Sequence, residues 1–342
     1  MELSSAGYQV VFGIKGYDYL SKLIVEKAYS KVFILTDNQV NEYCLPYFLQ
    51  QFSVDLPFEI IEVETGEEQK NIETSLQLWN ILAEFQADRK ALVLNIGGGM
   101  ITDLGGFVAA TYKRGIHFIN IPTSLLAMVD ASVGGKNGVN LASLKNMIGT
   151  FTQPQLVIID VRFLETLPVN QMRSGLAEMF KHGLIADISY WNQLKNLSEL
   201  TTEDLELLIF HSVSIKNEIV LQDPEEKNDR KLLNFGHTLG HVIESYCLEN
   251  PDIPTLLHGE AIAVGMILEA YISFKKGLLT KNLYTEIKET LNLMYEPIVF
   301  NENDIEICSS LLIHDKKNEN GKIRFTLLED IGKGIINQTV ES

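Results

Sequence analysis

Short apolar, β-branched runs alternate with longer amphipathic stretches in the first half of the chain. Four such runs predict buried strands, at Lys31–Asp37, Ala91–Ile96, His117–Ile121 and Gln155–Asp160. Apolar residues recur at helical spacing between the first two runs, from Asn71 to Phe85. Strands that alternate with helices are typical of a mostly parallel α/β sheet.

After about Phe163 the strand-like runs almost disappear and long helical patterns take over. These patterns cover Val169–Ala186, Thr202–Leu221, Leu232–Leu248, Gly259–Lys276 and Leu283–Leu293. Only Lys322–Leu328 looks extended, as a late hairpin or edge strand. The change of pattern predicts an N-terminal α/β domain over residues 1–153 and an all-α C-terminal domain over residues 154–342, with the boundary near Gln153-Pro154.

Composition and charge narrow the classes of function. Of 342 residues 46% are apolar, enough for a real core, and 28 Lys and Arg against 45 Asp and Glu give a net charge of −17. That field repels polyanions, so no nucleic-acid partner is expected. We find no bilayer-spanning apolar run, no signal peptide and only three scattered cysteines, so a cytoplasmic protein without a membrane partner is expected.

A run of three glycines, Gly97–Gly99, follows the predicted strand Ala91–Ile96 and precedes a helical stretch from Ile101 to Ala110. Glycine lets backbone amides approach an anion closely, and a helix N-terminus favours negative charge. The run lacks the spacing of the common dinucleotide fingerprint, so a plain tight turn is the alternative. Asp37 ends another strand, where a carboxylate suits ribose hydroxyls, and Asp103 lies just inside the helix. Together these features favour nucleotide binding.

Three segments combine histidine and glutamate with helix formers: Ala177–His182, Asn234–His241 and Leu257–Glu260. Imidazole with carboxylate suits Zn²⁺, and three protein ligands leave a position open for a substrate oxygen. A lone histidine is more often a core residue, but four of the chain's seven histidines fall in these segments. The spacing makes His237 and His241, four residues apart on one helix face, a candidate ligand pair. The pairing of His237 with His258 stays open.

Basic residues recur inside apolar or glycine-rich motifs of this acidic chain. They are Arg114, Lys136, Lys145, Lys181, Lys216, Arg230 and the pair Lys316-Lys317. Surface solvation explains any one of them. Alongside a metal site and a glycine turn, the set indicates a pocket for a phosphorylated or carboxylated small molecule.

Several motifs, met in order along the chain, resemble the 3-dehydroquinate synthase family. They are Gly97–Asp103, Pro122–Asp130, Val133–Lys136, Lys145-Asn146, Gly175–Glu178, Asn234–His241 and Leu257–Glu260. The resemblance runs from about Asp37 to about Lys317. It implies a dehydroquinate synthase-like fold, with a Rossmann-like NAD-binding domain followed by a helical metal- and substrate-binding domain.

The resemblance also implies an activity. The family carries out the second step of the shikimate pathway, a phosphorus–oxygen lyase reaction. It converts 3-deoxy-D-arabino-heptulosonate 7-phosphate to 3-dehydroquinate and phosphate through transient NAD-dependent oxidation, phosphate elimination, reduction and aldol closure. The implied cofactors are NAD⁺ and one divalent metal ion, Zn²⁺ or Co²⁺, and the implied assembly is a homodimer.

Site residues are implied position by position. The metal ligands are Glu178, His237 and His258, so His241 moves to the substrate side. The catalytic residues are Lys136, Lys181, Lys216, Arg230, Asn234 and His241, and the substrate-binding residues are Arg114, Asp130, Asn146 and Lys316 (or its neighbour Lys317). The NAD-binding residues are Asp37, Glu67, Lys70, Gly98, Gly99, Asp103, Thr123, Ser124 and Lys145. Thr102 departs from the family's usual glycine, which is expected to affect NAD affinity.

Other functions fit the residues less well. A metal- and NAD-dependent polyol dehydrogenase needs no phosphate-binding cations, so Lys136, Lys216 and Arg230 argue against it. Another sugar-phosphate cyclase is expected to differ at Lys216, Arg230 and Asn234, a trio that here is of the dehydroquinate type. A non-enzymatic binding module has no use for metal, cofactor and anion sites together.

Overall fold

The computed structural model describes residues 1–142, 144–196, 201–250, 253–313 and 323–340. The chain divides into two compact units. The first unit comprises Met1–Pro168 and Thr201–Asn217, and the second comprises Val169–Leu200 and Glu218–Ser342. Across the described residues, no helix combines the length and apolarity needed to cross a bilayer.

The first unit is built around a mostly parallel sheet. In the described ranges its strands are β1 (Glu2–Ser4), β2 (Gln9–Phe12), β3 (Lys31–Asp37), β4 (Phe58–Val63), β5 (Ala91–Gly97), β6 (His117–Pro122), β7 (Lys136–Leu141), β8 (Leu144–Phe151) and β9 (Leu156–Ile159). Seven of these described strands form one sheet in the order β1-β2-β9-β6-β5-β3-β4. Only the β1–β2 pair in that sheet is antiparallel, and β7 and β8 form a separate antiparallel hairpin.

Helices accompany this sheet. They are α1 (Lys15–Lys27), α2 (Asn38–Tyr43), α3 (Leu45–Gln51), α4 (Ile72–Glu84) and α5 (Gly99–Thr111). All seven residues of the central strand β5 are buried, which explains its continuous apolar sequence. Helix α5 packs against β5 and β7 at glycines: a Cβ on Gly105 or Gly106 would overlap the buried side chain of Asn95 or Asn137.

The strand order contains a topological switch. From β3 the chain moves to β4 on one side, and it then crosses back so that β5, β6 and β9 extend the sheet on the other side. The carboxyl ends of β3 and β5, at Asp37 and Gly97, therefore flank the point where the connections diverge. In open α/β sheets, ligands bind in the crevice at such a point.

The second unit is mainly helical. Its described elements are α6 (Val169–Ala186), α7 (Ile188–Lys195), the end of α8 (Thr202–Gln222), α9 (His237–Glu249), α10 (His258–Lys275), α11 (Lys281–Met294), α12 (Glu302–Ile313) and the hairpin strands β10 (Arg324–Asp330) and β11 (Lys333–Thr339). Residues of α8 up to Asn217 belong to the first unit. The predicted α/β and helical arrangement is confirmed, with one addition to the all-α expectation: the antiparallel β10–β11 pair, at the segment expected to be extended.

Two boundaries differ from the sequence-based expectation. The first unit continues past Gln153-Pro154 to Pro168, because β9 pairs with β2 and β6 inside its sheet. The helix expected from Leu232 begins only at His237, after a short 3₁₀ turn. Gly236, with φ of +78°, separates the two, and this left-handed conformation is one that glycine adopts without strain.

Candidate active site

The glycine run forms the turn between β5 and α5. Gly98 is the N-cap of α5, and a Cβ there would lie 3.3 Å from Ser124 Oγ. The Thr123 amide donates a hydrogen bond to the carbonyl of Gly97 (2.9 Å), so Thr123 and Ser124 lie beside the turn. The positive end of the α5 dipole thus lies at a glycine turn, where the backbone can approach a ligand closely. This arrangement suits a pyrophosphate.

Thr102 has a defined place in this helix start. Its side chain is 1% exposed, and its hydroxyl donates to the carbonyl of Gly99 (3.1 Å). The β-branched side chain is therefore accommodated inside the first turn of α5 with its hydroxyl satisfied. The family's usual glycine is not needed for this backbone conformation.

Asp37 ends β3 and is buried. Its Oδ1 accepts hydrogen bonds from the amides of Gln39 and Val40 (3.0 Å each) and from the hydroxyl of Thr65 (2.8 Å). The carboxylate therefore caps α2, a structural role that accounts for much of its hydrogen-bonding capacity. Its position at the switch point matches a ribose-binding carboxylate, and that role stays a prediction.

A buried ion pair links the neighbouring cofactor candidates. Lys70 Nζ lies 2.5 Å from Asp103 Oδ2 on α5 and 3.8 Å from Glu67 Oε1. Burial raises the pKa of Asp103, and the Lys70 ammonium works against that rise. The pair thus places a fixed positive charge and a fixed negative charge next to the glycine turn.

One side chain outside the predicted set joins this cluster to the β7–β8 hairpin. Asn140 donates its amide to Glu67 Oε1 (3.2 Å) and accepts the backbone N–H of Asn146 at Oδ1 (2.9 Å), while its own N–H donates to the carbonyl of Lys70 (2.8 Å). Asn146 has φ of +52°, the left-handed region that asparagine tolerates. The exposed Lys136 and the half-buried Lys145 lie on the same hairpin. Nothing in the sequence pattern marked Asn140.

Two other predicted residues of the first unit pair with each other. Lys216 is 5% exposed, and its Nζ donates to the backbone carbonyl of Asp130 and, over 2.6 Å, to its Oδ1. Asp130 lies in a single π-helical turn, Ala127–Ala131. Such turns are frequent at functional sites.

Arg114 does not join these residues. It is exposed and follows α5, whose 13 residues span about 20 Å from the glycine turn. It lies just before His117 at the start of β6. It is therefore at the end of the sheet formed by the amino termini of the strands, opposite the glycine turn.

Glu178 is the buried carboxylate among the metal candidates of the second unit. This carboxylate is 0% exposed, and its Oε1 lies 3.6 Å from Nε2 of His237. Lys181, one turn along α6, forms a buried ion pair with Oε2. Among the described residues, neither Glu178 oxygen has a hydrogen-bond donor of acceptable geometry. The Lys181 ammonium offsets part of the cost of burying this carboxylate, and Oε1 on the His237 side can accept a further cation.

His237 also belongs to a cluster of three imidazoles. One ring nitrogen each from His237, His241 and His258 lies within 4.8 Å of the others, so both pairings that the spacing left open are geometrically available. His237 Nδ1 lies 3.1 Å from the carbonyl of Phe235, and His258 Nδ1 lies 3.3 Å from Oε2 of Glu244. Partners of this kind fix the tautomer so that Nε2 offers its lone pair, as is usual in metal sites. The cluster offers imidazole nitrogens, and the Glu178 carboxylate lies against one of them, His237. Donors of these two kinds fit a divalent ion such as Zn²⁺.

The remaining predicted residues of this unit lie in the polar break and the 3₁₀ turn after α8. Arg230 is 2% exposed and donates from Nη1 to the carbonyl of Pro224 (2.5 Å), while Asn234 donates its amide to Glu226 Oε1 (2.8 Å). Burial works to raise the pKa of Asp223, but backbone donors that include the Arg230 amide outweigh it, so the pKa stays below its ordinary value. The ionised carboxylate therefore organises this break.

Some predicted or important residues need separate mention. Lys316 and Lys317 lie outside the described residues. Glu244 and Glu269 were missed, and both are buried carboxylates on the helices that carry the histidines. The signal that could have found them is an acid in an otherwise apolar helical stretch, the same signal that Glu178 gave.

An α/β unit with a nucleotide-type turn and a helical unit with a metal-type cluster are typical of a cofactor- and metal-dependent enzyme. The model "3-dehydroquinate synthase N-terminal" matches residues 60–174, and the model "3-dehydroquinate synthase C-terminal" matches residues 175–318. The 3-dehydroquinate synthase of Parabacteroides distasonis is 41% identical over 94% of this chain and 90% of its own. The chain belongs to the 3-dehydroquinate synthase family, as the motifs predicted.

Solved structures agree with this assignment. A 2-deoxy-scyllo-inosose synthase in complex with carbaglucose-6-phosphate, NAD⁺ and Co²⁺ has a TM-score of 0.85 and 28% identity, covering 100% of this chain and 96% of its own. A 2-epi-5-epi-valiolone synthase from Streptomyces hygroscopicus with NAD⁺ and Zn²⁺ has a TM-score of 0.81 and 27% identity, covering 99% and 94%. The fold is therefore that of the sugar-phosphate cyclases.

The buried pair predicts a stability difference. Lys70→Met removes the charge opposite Asp103, and we expect unfolding at pH 7 to cost about 2–4 kcal/mol less, because a carboxylate is left largely buried and unpaired. Without Lys70 the raised pKa of Asp103 rises further, so the folded state holds this proton up to higher pH. The defect should therefore grow as pH rises from about 4 and shrink on acidification.

Urea denaturation at several pH values measures this effect. The matched control is Lys31→Met, which breaks the more exposed Lys31–Glu59 pair and should cost about 1 kcal/mol or less. Equal losses in the two variants, or a Lys70→Met defect that does not change with pH, would contradict the prediction.

Proposed function

We propose that the chain converts 3-deoxy-D-arabino-heptulosonate 7-phosphate to 3-dehydroquinate and phosphate, with NAD⁺ and one Zn²⁺ or Co²⁺ ion. The observation that carries the proposal is the cluster of His237, His241 and His258, with the buried Glu178 carboxylate 3.6 Å from Nε2 of His237. Family membership supports the substrate. The cofactors bound by the two cyclases described above support the choice of NAD⁺ and metal.

The NAD⁺ site is assigned to the first unit. Gly98 and Gly99, at the start of α5, receive the pyrophosphate, and Asp37 at the end of β3 receives a ribose. Thr123 and Ser124 border the turn. Glu67, Lys70, Asp103 and Lys145 complete the proposed cofactor set.

The metal site is assigned to Glu178, His237 and His258 in the second unit. When bound, the metal ion would supply a Lewis acid for a substrate hydroxyl, and NAD⁺ would supply a hydride acceptor and donor. The chain's own residues bind and orient the substrate. Lys136, Lys181, Lys216, Arg230, Asn234 and His241 are assigned to catalysis, and Arg114, Asp130, Asn146 and Lys316 to substrate binding.

The basic residues have a physical task in this reaction. The substrate carries a carboxylate and a phosphate in a protein of net charge −17, so local cations must hold both groups. Arg230 and Lys216 are almost fully buried, which strengthens their attraction for an anion. Fixed cations also stabilise the negative charge that leaves with the phosphate. No net oxidation results, which makes the reaction a lyase step.

One assay tests the activity. Protein loaded with Zn²⁺ or Co²⁺ is incubated with the heptulosonate phosphate and substoichiometric NAD⁺, and both products are followed. We expect equimolar phosphate and 3-dehydroquinate, many turnovers per NAD⁺ and no accumulation of NADH. Net NADH formation from a simple alcohol, or preferential cyclisation of another sugar phosphate, would contradict the proposal.

The ligand assignment predicts a loss of metal. His258→Ala removes one of three ligands, so bound Zn²⁺ measured by atomic absorption after gel filtration should fall to near zero and activity should be lost. The control is His117→Ala, at the start of β6 in the first unit. This variant should bind as much Zn²⁺ as the wild type. A full metal content in His258→Ala would refute the assignment.

We also propose a homodimer acting in the cytoplasm. The support for the dimer is the place of Arg114, which is implied to bind substrate but lies about 20 Å along α5 from the glycine turn. A symmetric partner can bring an exposed residue from that end of the sheet to the other copy's site, and closed two-fold dimers are the commonest assemblies. Arg114 would then serve the partner's substrate.

This arrangement predicts complementation. Arg114→Ala and His258→Ala should each be inactive, yet mixed dimers contain one site with neither defect. After mixing and subunit exchange, activity should recover to about a quarter of the wild-type rate per chain, because about half the dimers are mixed and each has one intact site. Steady-state rates of the two variants alone provide the baseline. No recovery despite exchange, checked with differently tagged chains, would contradict the proposal.

A further inference from the structure

A buried carboxylate on α10 has no place in the chemistry described so far. Glu269 is 0% exposed, and its two oxygens accept backbone hydrogen bonds from the beginning of α9. Gly236 N–H donates to Oε2 over 2.7 Å, and Leu239 N–H donates to Oε1 over 3.1 Å. These two amides lie on either side of the candidate metal ligand His237.

Close helix packing makes these contacts possible. A Cβ on Gly236 would lie 3.0 Å from the carbonyl oxygen of Ile262, and a Cβ on Gly240 would lie 3.1 Å from that of Ala261. A Cβ on Gly265 would overlap the backbone of Gly236. Backbone therefore packs directly against backbone between α9 and α10. The carboxylate of Glu269 reaches across this contact to amides that otherwise have no partner within the first turn of α9.

The contact also has an electrostatic consequence. The N-terminus of a helix carries about half a positive elementary charge, and that charge disfavours a nearby cation. His237 is the first residue of α9, so a divalent ion bound there would meet this field. A carboxylate that accepts two backbone N–H bonds favours the ionised form, and the full charge of that form outweighs the half charge of the helix end.

We propose that Glu269 is a positioning residue for the metal centre, which holds the first turn of α9 so that His237 faces Glu178 and neutralises the positive helix end beside the ion. This inference rests on the proposed metal site and deepens it. The hydrogen bonds named above run from backbone amides to Glu269. Its contribution is made through the backbone amides on each side of His237.

The test is Glu269→Gln, which keeps the size of the side chain, removes its charge and turns an N–H₂ group toward a backbone N–H. Zn²⁺ affinity is measured by competition with a chromophoric chelator. We expect an affinity about 10- to 100-fold lower than in the wild type, the range typical of residues that support metal ligands. The visible spectrum of the Co²⁺-loaded protein should also change, because the orientation of His237 changes.

The matched control is Ser273→Ala, one turn further along α10. Ser273 is also fully buried and bonds backbone: its hydroxyl donates to the carbonyl of Glu269 (2.8 Å) and accepts the N–H of Leu328 (3.0 Å). Its loss should lower the melting temperature and leave Zn²⁺ affinity and the Co²⁺ spectrum unchanged. The control therefore separates the general cost of disturbing α10 from an effect on the ion.

Each outcome decides a different point. Wild-type affinity and spectrum in Glu269→Gln, with only a lower melting temperature, would overturn the inference and leave the metal site intact. Failure of the wild-type protein to bind Zn²⁺ or Co²⁺ would instead refute the metal site itself. Where Glu269→Gln does not fold, Glu269→Asp replaces it. Its shorter reach should weaken Zn²⁺ binding, and unchanged affinity would overturn the proposal.

Discussion

The second unit depends on Glu178, a buried carboxylate whose oxygens accept no hydrogen bond from the described residues. Glu178 lies inside α6 with both oxygens buried, against the Lys181 ammonium and the His237 imidazole. Burying an ionised carboxylate in this way costs free energy, and only nearby positive charge can offset that cost. The helices around it are arranged accordingly: α9 begins at one histidine and α10 at another, and both starts are fixed by glutamates.

Much of the secondary structure and the family of the protein could be predicted from the sequence. The four predicted strands and most of the long helices are regular, strongly periodic segments, and all of α6 was delimited correctly. The family motifs led to the correct family because several occur in order. Two positions differ. The boundary predicted near Gln153-Pro154 lies before β9, because the pattern of a single strand does not reveal its partners, whereas the first unit extends to Pro168. The start of α9 was set too early because the pattern of apolar residues continues through Gly236, where the backbone turns left-handed.

The side chains that support the site escaped prediction for another reason. Asn140, Glu244 and Glu269 bond residues on other elements of the fold. An acid in an apolar helical stretch marks the two glutamates as unusual, but the residues that they support cannot be read from their neighbours in sequence. Arg114 presents the converse case. Its motif marked it as a site residue, while its location follows only from the length of α5 and the end of the sheet at which it lies. The residues that orient the candidate site therefore become visible only in the folded structure.

Asn140 has a consequence for how the sequence of this protein can evolve. Its side-chain amide bonds the Glu67 carboxylate and the Asn146 backbone N–H, and its own backbone N–H donates to the Lys70 carbonyl, so this one residue joins two separate loops. A substitution that lengthens or tilts either loop would break bonds on the other. Sequence drift in the hairpin and in the segment around Glu67 should therefore be correlated among relatives, with Asn140 varying least.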